Sequence, residues 1–232
     1  MAVQQSGKSS KKKIKQPLSE QAYHELKRRI LLNEMPVGRP FLEQELSEML
    51  KMSRTPTREA MNRLATEGLV EIRPRHGMFV NHISVDDMRE IYAILTGLES
   101  TAAGLAAARA PSKEELKTIR LSVDDMEKAL KIEDLLAWAK ADELFHRSLV
   151  ELSQNKRLEE LVQIYIDQSQ RVRMLTLRMR PIPDASNKDH RDVLEAIANG
   201  DANLARRTHR EHREKAGVML VDLLESQGLN QI

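Results

Sequence analysis

Cysteine is absent from the 232 residues, which removes disulfides and thiolate metal ligands, so any metal must be held by His, Asp or Glu. Aromatic residues make up only 3% of the chain, too few for a platform on which single-stranded bases stack, so a nucleic-acid partner would be duplex DNA. Glycine and proline are sparse as well, at 9 and 8 residues, and with 31% charged residues the composition favours helices over sheets. No run approaches the roughly 18 to 20 apolar residues of a membrane span, and no apolar signal segment opens the sequence. These absences predict a cytoplasmic protein with no membrane partner, while 41% hydrophobic residues suffice for the cores of two modest domains.

What is present is unevenly distributed. Residues 1–80 carry 15 Lys and Arg against 9 Asp and Glu, a balance of +6, whereas residues 81–232 carry 22 against 26, a balance of −4. Lysines and arginines bind DNA by displacing counterions condensed on its phosphates, so the basic part is the DNA-facing part. Its first 16 residues form a lysine-rich tail (Lys8, Lys11, Lys12, Lys13 and Lys15) with almost nothing to bury, predicted to be disordered. Such a tail is either simply solvated or an arm that adds non-specific phosphate contacts.

Residues 17–82 read as a winged helix-turn-helix. Ser19 opens a helix with Ala22, Tyr23, Leu26, Ile30 and Leu31 at helical spacing, ended by the segment from Pro36 to Pro40, and a short helix follows at Glu43 to Leu50. The next helix, within residues 53–69, has a cationic tip. Thr55 suits its N-cap, Pro56 its first position and Gly68 its stop, while Ala60, Met61, Leu64 and Ala65 form a packing face and Arg58, Asn62 and Thr66 lie elsewhere. Leu69, Val70 and Ile72, the turn signal at Pro74 to Gly77, and Met78 to Val80 predict a small β-hairpin wing with His76 and Gly77 at its tip. In this arrangement Arg54 and Arg58 are candidates to read base edges in the major groove, Ser53, Thr55 and Thr57 to contact phosphates, and His76 with Gly77 to reach the adjacent groove.

From Val85 onward the pattern is helical, with breaks at Pro111-Ser112, from Lys131 to Asp134, at Gln154-Asn155, from Pro181 to Ser186 and at Asn199-Gly200. Residues 83–232 are therefore predicted to form an all-α antiparallel bundle of six helices with room for a ligand. Asp142 and His146, four apart, stack on one helix face. His190 shares a face with Leu194 and Ile197, and His212 one with Ala205, Ala216 and Met219, so both imidazoles point inward. In a hairpin turning at Gly200 both lie about 16 Å from the turn and should be neighbours. Three imidazoles and one carboxylate suit a divalent ion such as zinc or nickel better than magnesium or calcium. His209 is ambiguous: a substitute ligand or, on its less apolar face, a supporting or surface residue. Arg171, Arg173 and Arg178, before Pro181, are candidates to bind an acidic effector.

Two stretches carry a family resemblance. The run at 45–60 (ELSEMLKMSRTPTREA), Leu-Ala-Thr-Glu-Gly-Leu-Val at 64–70 and Arg-His-Gly-Met-Phe-Val at 75–80 resemble the GntR family of bacterial transcription regulators. Asp-Glu-Leu-Phe-His at 142–146, Asp-His-Arg-Asp-Val-Leu-Glu-Ala-Ile at 189–197 and His212 resemble its FCD branch, so that the resemblance covers nearly all of residues 18–225. It implies a homodimer on a palindromic operator, a helical effector-binding and dimerisation domain, and a metal held at Asp142, His146, His190 and His212. One position departs: Leu95 falls where many members carry an arginine that pairs with an acidic effector. The expected function is a ligand-responsive regulator that binds a divalent metal and a small metabolite such as an organic acid. A regulator sensing the ion itself, or a metallohydrolase lacking any His-Glu-x-x-His run, are the alternatives.

Overall fold

The computed structural model of the protein describes residues 16–229. All of the lysine-rich tail except Gln16 lies outside the described residues. The first helix, α1 (Leu18–Leu31), starts directly behind Pro17, one residue before the expected serine, and buries Ala22, Tyr23, Leu26 and Ile30. Asn33, in the left-handed region at φ 58°, turns the chain away. A short α2 (Glu43–Leu50) leads through Lys51, also left-handed, into α3 (Arg54–Thr66).

The start of α3 corrects the expected N-cap. Ser53, with extended backbone, occupies that position and makes no side-chain capping bond, so Thr55 is the second helical residue and Pro56 the third. Proline is tolerated there because the first four N–H groups of a helix have no intrahelical partner. The wing is also larger than expected. β2 (Val70–Arg73) and β3 (Gly77–Val80) pair antiparallel, and β1 (Pro40–Phe41) adds a third strand on the other side of β3. A two-residue strand next to Pro40 has no periodicity to reveal it. Gly77 is the first residue of β3 and the turn is Pro74 to His76. Glycine is required at 77 because φ is +92° and a Cβ would lie 2.5 Å from the Phe41 carbonyl oxygen.

Six α-helices follow, broken where the sequence breaks: α4 (Val85–Ala108), α5 (Lys117–Lys131), α6 (Leu135–Leu152), α7 (Lys156–Leu175), α8 (Asp184–Ala198) and α9 (Ala202–Ser226), with one 3-10 turn at Leu177–Met179. Four of them are fixed by N-caps. Ser84 and Asp87 form a capping box on α4, and Asp134, Asn155 and Asp201 accept from Ala137, Leu158 and Leu204 backbone N–H groups on α6, α7 and α9. One apolar cluster joins α5, α6 and α8 through Ile119, Phe145, Leu149, Val193 and Ile197. A second joins α4, α7 and α9 through Met88, Leu95, Val162, Ile166 and Leu220.

By length and composition α4 could cross a membrane, contrary to the expectation that no run comes close. It passes because it is the helix that the bundle wraps: Leu95, Ala102, Ala103 and Ala106 are at most 1% exposed. An apolar helix enclosed on most sides needs no polar face.

Candidate functional site

Among these cores lies a buried polar cluster assembled from five helices. α6 contributes Asp142 and His146, α8 His190, α9 His209, His212 and Arg213, α4 Glu99, and α7 Arg173, all of them buried. His190 Nε2 stands 3.1 Å from His212 Nε2, and Asp142 Oδ1 stands 3.5 Å from both His146 Nε2 and His190 Nε2. One ring nitrogen each of His146, His190 and His212 lie within 4.8 Å of one another. Ligand atoms bound tetrahedrally at about 2.1 Å from an ion are about 3.4 Å apart, so this spacing suits a metal.

The surrounding charges set the protonation. Burial pushes the His190 and His212 imidazoles below their usual range and takes His209 down to about 3, so these rings are neutral and can offer a lone pair. Burial would raise the Glu99 carboxyl, but the Arg213 guanidinium and His146 override it and hold it well below the usual carboxylate range. Asp142 is likewise raised by burial and held well below by His146 and Arg173. Arg213 Nε donates to Glu99 Oε2 at 2.9 Å while its Nη2 donates to Glu99 Oε1. Glu99 Oε2 also stands 2.9 Å from His146 Nδ1. An ionised carboxylate there accepts from a proton on Nδ1, which aims the other ring nitrogen, Nε2, at Asp142 and His190.

Glu99, His146 and His209 make a second set close enough to hold a cation. Arg213 occupies both carboxylate oxygens and brings its own positive charge, so this set orients His146 and not a second ion.

The three expected histidines thus come together with Asp142 Oδ1 beside two of them, and of the places left open for His209 the structure gives the supporting one. His209 is fully buried, with Nε2 2.9 Å from Glu99 Oε2, instead of lying at the surface. Its face looked insufficiently apolar because what packs there is a charged pair. Glu99 and Arg213 were missed altogether. The available signal was the one charged residue between Ile91 and Ala108 of the apolar α4, with an arginine four residues after His209.

Asp142, His146 and His212 open on a cavity of about 200 Å³ also lined by Trp138, Arg173, Arg180 and Met219. Of the three candidate arginines only Arg173 reaches it, already donating to Asp142 Oδ2. Arg171 points instead to the N-terminal unit, and Arg178 is exposed outside the cavity. The arginine that sequence reasoning overlooked is Arg180. It donates to neutral groups, Thr176 Oγ1 at 2.8 Å and the Arg173 carbonyl, and burial lowers its pKa. Leu95 packs in the apolar cluster of α4 and lends the cavity nothing.

At the other end of the molecule, Ser53, Arg54, Thr55 and Arg58 are exposed at the start of α3, and His76 is exposed in the wing turn. Arg58 is held by Glu43, which accepts from its Nε at 2.7 Å and Nη2 at 3.0 Å. Thr57 is a correction: it is fully buried and its hydroxyl donates to the Ser53 carbonyl at 3.0 Å, so it faces the fold and not a phosphate.

Comparison with known proteins agrees with both halves. Residues 18–80 match the model of the gntR family of bacterial regulatory proteins, and residues 90–215 match the FCD domain. The chain is 32% identical over 164 residues to the Nta operon transcriptional regulator of Aminobacter aminovorans, spanning 70% of this chain and 75% of that one. It is 26% identical over 200 residues to the HTH-type transcriptional repressor RspR of Escherichia coli, spanning 86% and 87%. Among solved structures, E. coli McbR/YncC superposes with a TM-score of 0.76 at 20% identity, covering 89% of this chain and 98% of the other.

Proposed function

Because this chain belongs to the GntR family of bacterial regulatory proteins and carries an FCD domain, which makes it a DNA-binding transcription regulator and not an enzyme, we propose that it answers to an anionic metabolite bound beside a divalent metal. Residues 17–82 form the DNA-binding domain and 83–232 the effector-binding and dimerisation domain of a homodimer acting on bacterial DNA in the cytoplasm. A two-fold dimer presents two α3 helices to the halves of a palindromic operator, which adds the free energies of two short recognition events. Arg54 and Arg58 read bases, Ser53 and Thr55 fix the phosphates, and His76 with Gly77 brings the wing to the adjacent groove.

Asp142, His146, His190 and His212 would hold the ion, and their nitrogen-rich set favours zinc or nickel. The bound ion supplies positive charge to which an oxygen-bearing ligand coordinates.

The observation that carries the effector's chemistry is a charge balance. Glu99 with Arg213, Asp142 with Arg173 and, at the edge of the cavity, Asp189 with Lys215 are neutral pairs, so a divalent ion adds uncompensated positive charge, next to Arg180 with no carboxylate of its own. A carboxylate ligand in the cavity offsets that charge, which an ion-only sensor would leave unbalanced. Zinc and organic acids should be titrated separately and together into chelator-stripped protein while DNA binding is followed. In Arg180→Gln, zinc stoichiometry should persist while organic-acid affinity falls about tenfold or more, as expected for loss of a charged hydrogen bond worth about 1.5 to 3 kcal/mol. Equal affinity in the variant, or a full DNA response to zinc alone, would reject the anionic effector.

A further inference from the structure

Helix α7 is gripped from two sides within one turn. On one side Arg173 donates to Asp142 Oδ2, while the other oxygen of that carboxylate faces His146 and His190. Two residues earlier, on the opposite side of the helix, Arg171 donates from Nη1 to the Asn81 carbonyl at 2.8 Å and from Nε to Asn33 Oδ1 at 3.2 Å. Successive residues turn by about 100°, so positions two apart point nearly opposite ways. Asp167 and Gln168, which share the Arg171 side, continue the grip: Lys27 Nζ lies 2.5 Å from Asp167 Oδ2, and Gln168 Nε2 donates to the Glu67 carbonyl at 2.9 Å.

Two partners of that grip stand at the ends of elements that carry DNA-facing residues, and a third follows α1, which packs on α3. Glu67 is the C-cap of α3, Asn81 follows the last wing strand and Asn33 follows α1. Gly68, whose φ of +73° suits glycine, lies against the Gln168 amide, 2.7 Å from where a Cβ would stand. Arg171 is only 4% exposed and has no carboxylate partner, so directional bonds to a carbonyl and an amide hold it.

We infer that Arg171 and Arg173 form a relay through which the state of Asp142 is transmitted to the end of the recognition helix and the wing. The relay rests on the reading of the Asp142 cluster as the metal and effector site. Any shift of Asp142 toward an ion drags Arg173, and because a helix does not deform over two residues, the same segment of α7 shifts Arg171 against Asn81 and Asn33. Both arginines are positioning residues: neither touches DNA, and Arg171 does not touch the cavity.

Hydrogen exchange of backbone amides in segments 64–69 and 79–83 reads the relay directly. Adding zinc to chelator-stripped full-length protein should change exchange there about fivefold or more, the lower bound of ordinary coupling between sites. In Arg171→Gln, zinc should bind at unchanged stoichiometry by elemental analysis while the change stays confined to the bundle. Arg171→Lys keeps the charge without the fork and should lose most of the response, which guards against a folding defect in the first variant. An undiminished zinc response in both variants overturns the relay. Absence of zinc binding to the unsubstituted protein would overturn the metal reading instead, and the relay then stands or falls on Asp142→Asn without metal. Removing the charge that holds Arg173 should alter exchange at 79–83, and unchanged exchange there rejects it.

Discussion

Glu99 is the side chain whose loss the structure predicts to be felt furthest. It is fully buried, accepts from Arg213, and stands 2.9 Å from both His146 Nδ1 and His209 Nε2. Glu99→Gln keeps the shape but removes the charge, leaving Arg213, 2% exposed, without its counter-charge. Its new amide N–H must also face a donor, either Arg213 or a histidine. Breaking one side of a buried ion pair costs about 3 to 5 kcal/mol, a large share of the roughly 5 to 15 kcal/mol by which a folded protein is stable. His146 simultaneously loses the acceptor that fixes its Nδ1 proton, and removing such a support weakens metal binding about 10- to 100-fold. Urea unfolding of chelator-stripped protein measures the first effect and competition with a chelator of known zinc affinity measures the second. Replacing both Glu99 and Arg213 by methionine should recover much of the stability but not the zinc affinity, because packing is restored while the histidine support is not. A loss below about 1 kcal/mol in Glu99→Gln, with zinc affinity within about twofold, would refute the assignment of Glu99 as buried counter-ion.

Two further outcomes follow from other parts of the chain. Arg58→Ala should cost about 1 to 3 kcal/mol of operator binding and relax base preference at one position, measured by affinity selection from random duplexes; an equal loss on every sequence would make Arg58 a phosphate contact. The chelator-stripped fold should also lose stability in acid. His190, His209 and His212 are held neutral below their usual value of 6.5, His209 down to about 3, so below pH 6.5 the unfolded chain binds protons that the fold does not. Stability then falls as pH drops from 6.5, with a limiting slope of about 4 kcal/mol per unit for three histidines, and flat urea midpoints between pH 6.5 and 5 would contradict their neutrality.

The elements legible in the sequence were those whose pattern reports their own local physics. Helical spacing located α1 and α2, chain breaks located the six bundle helices, and equal distances from Gly200 placed His190 beside His212, found 3.1 Å apart. What stayed hidden depends on partners distant in the chain. β1 is two residues long and exists only because β3 offers Phe79 and Met78 to pair with Pro40 and Phe41. Thr57 is the exception: it looked outward on a cationic helix tip, yet it stands three, four and seven residues before Ala60, Met61 and Leu64 and so shares their buried face. Helical spacing sends Arg171 and Arg173, two residues apart, to opposite sides of α7, but only the packed fold shows that one side meets Asn81 and the other Asp142.

His209 shows why the polar cluster in particular resists reading from apolar faces. A buried helix face is recognised by its hydrophobic residues only when the facing helix answers with hydrophobic residues. Here α4 answers with Glu99, and α9 meets it with His209 and Arg213, so the face is buried because its charges are mutually satisfied. That arrangement costs desolvation that an apolar packing of the same volume would avoid, and stability alone gives no reason to keep it. A cluster that fixes a proton on His146 Nδ1, turns the Nε2 atoms of His146 and His190 toward Asp142 and leaves Arg180 without a carboxylate at the adjoining cavity instead fits the proposed reading of an ion bound with an anionic ligand. The same logic explains Leu95: with Arg173 bound to Asp142 and Arg180 at the cavity, cationic charge comes from α7 and the turn after it, so α4 is free to pack.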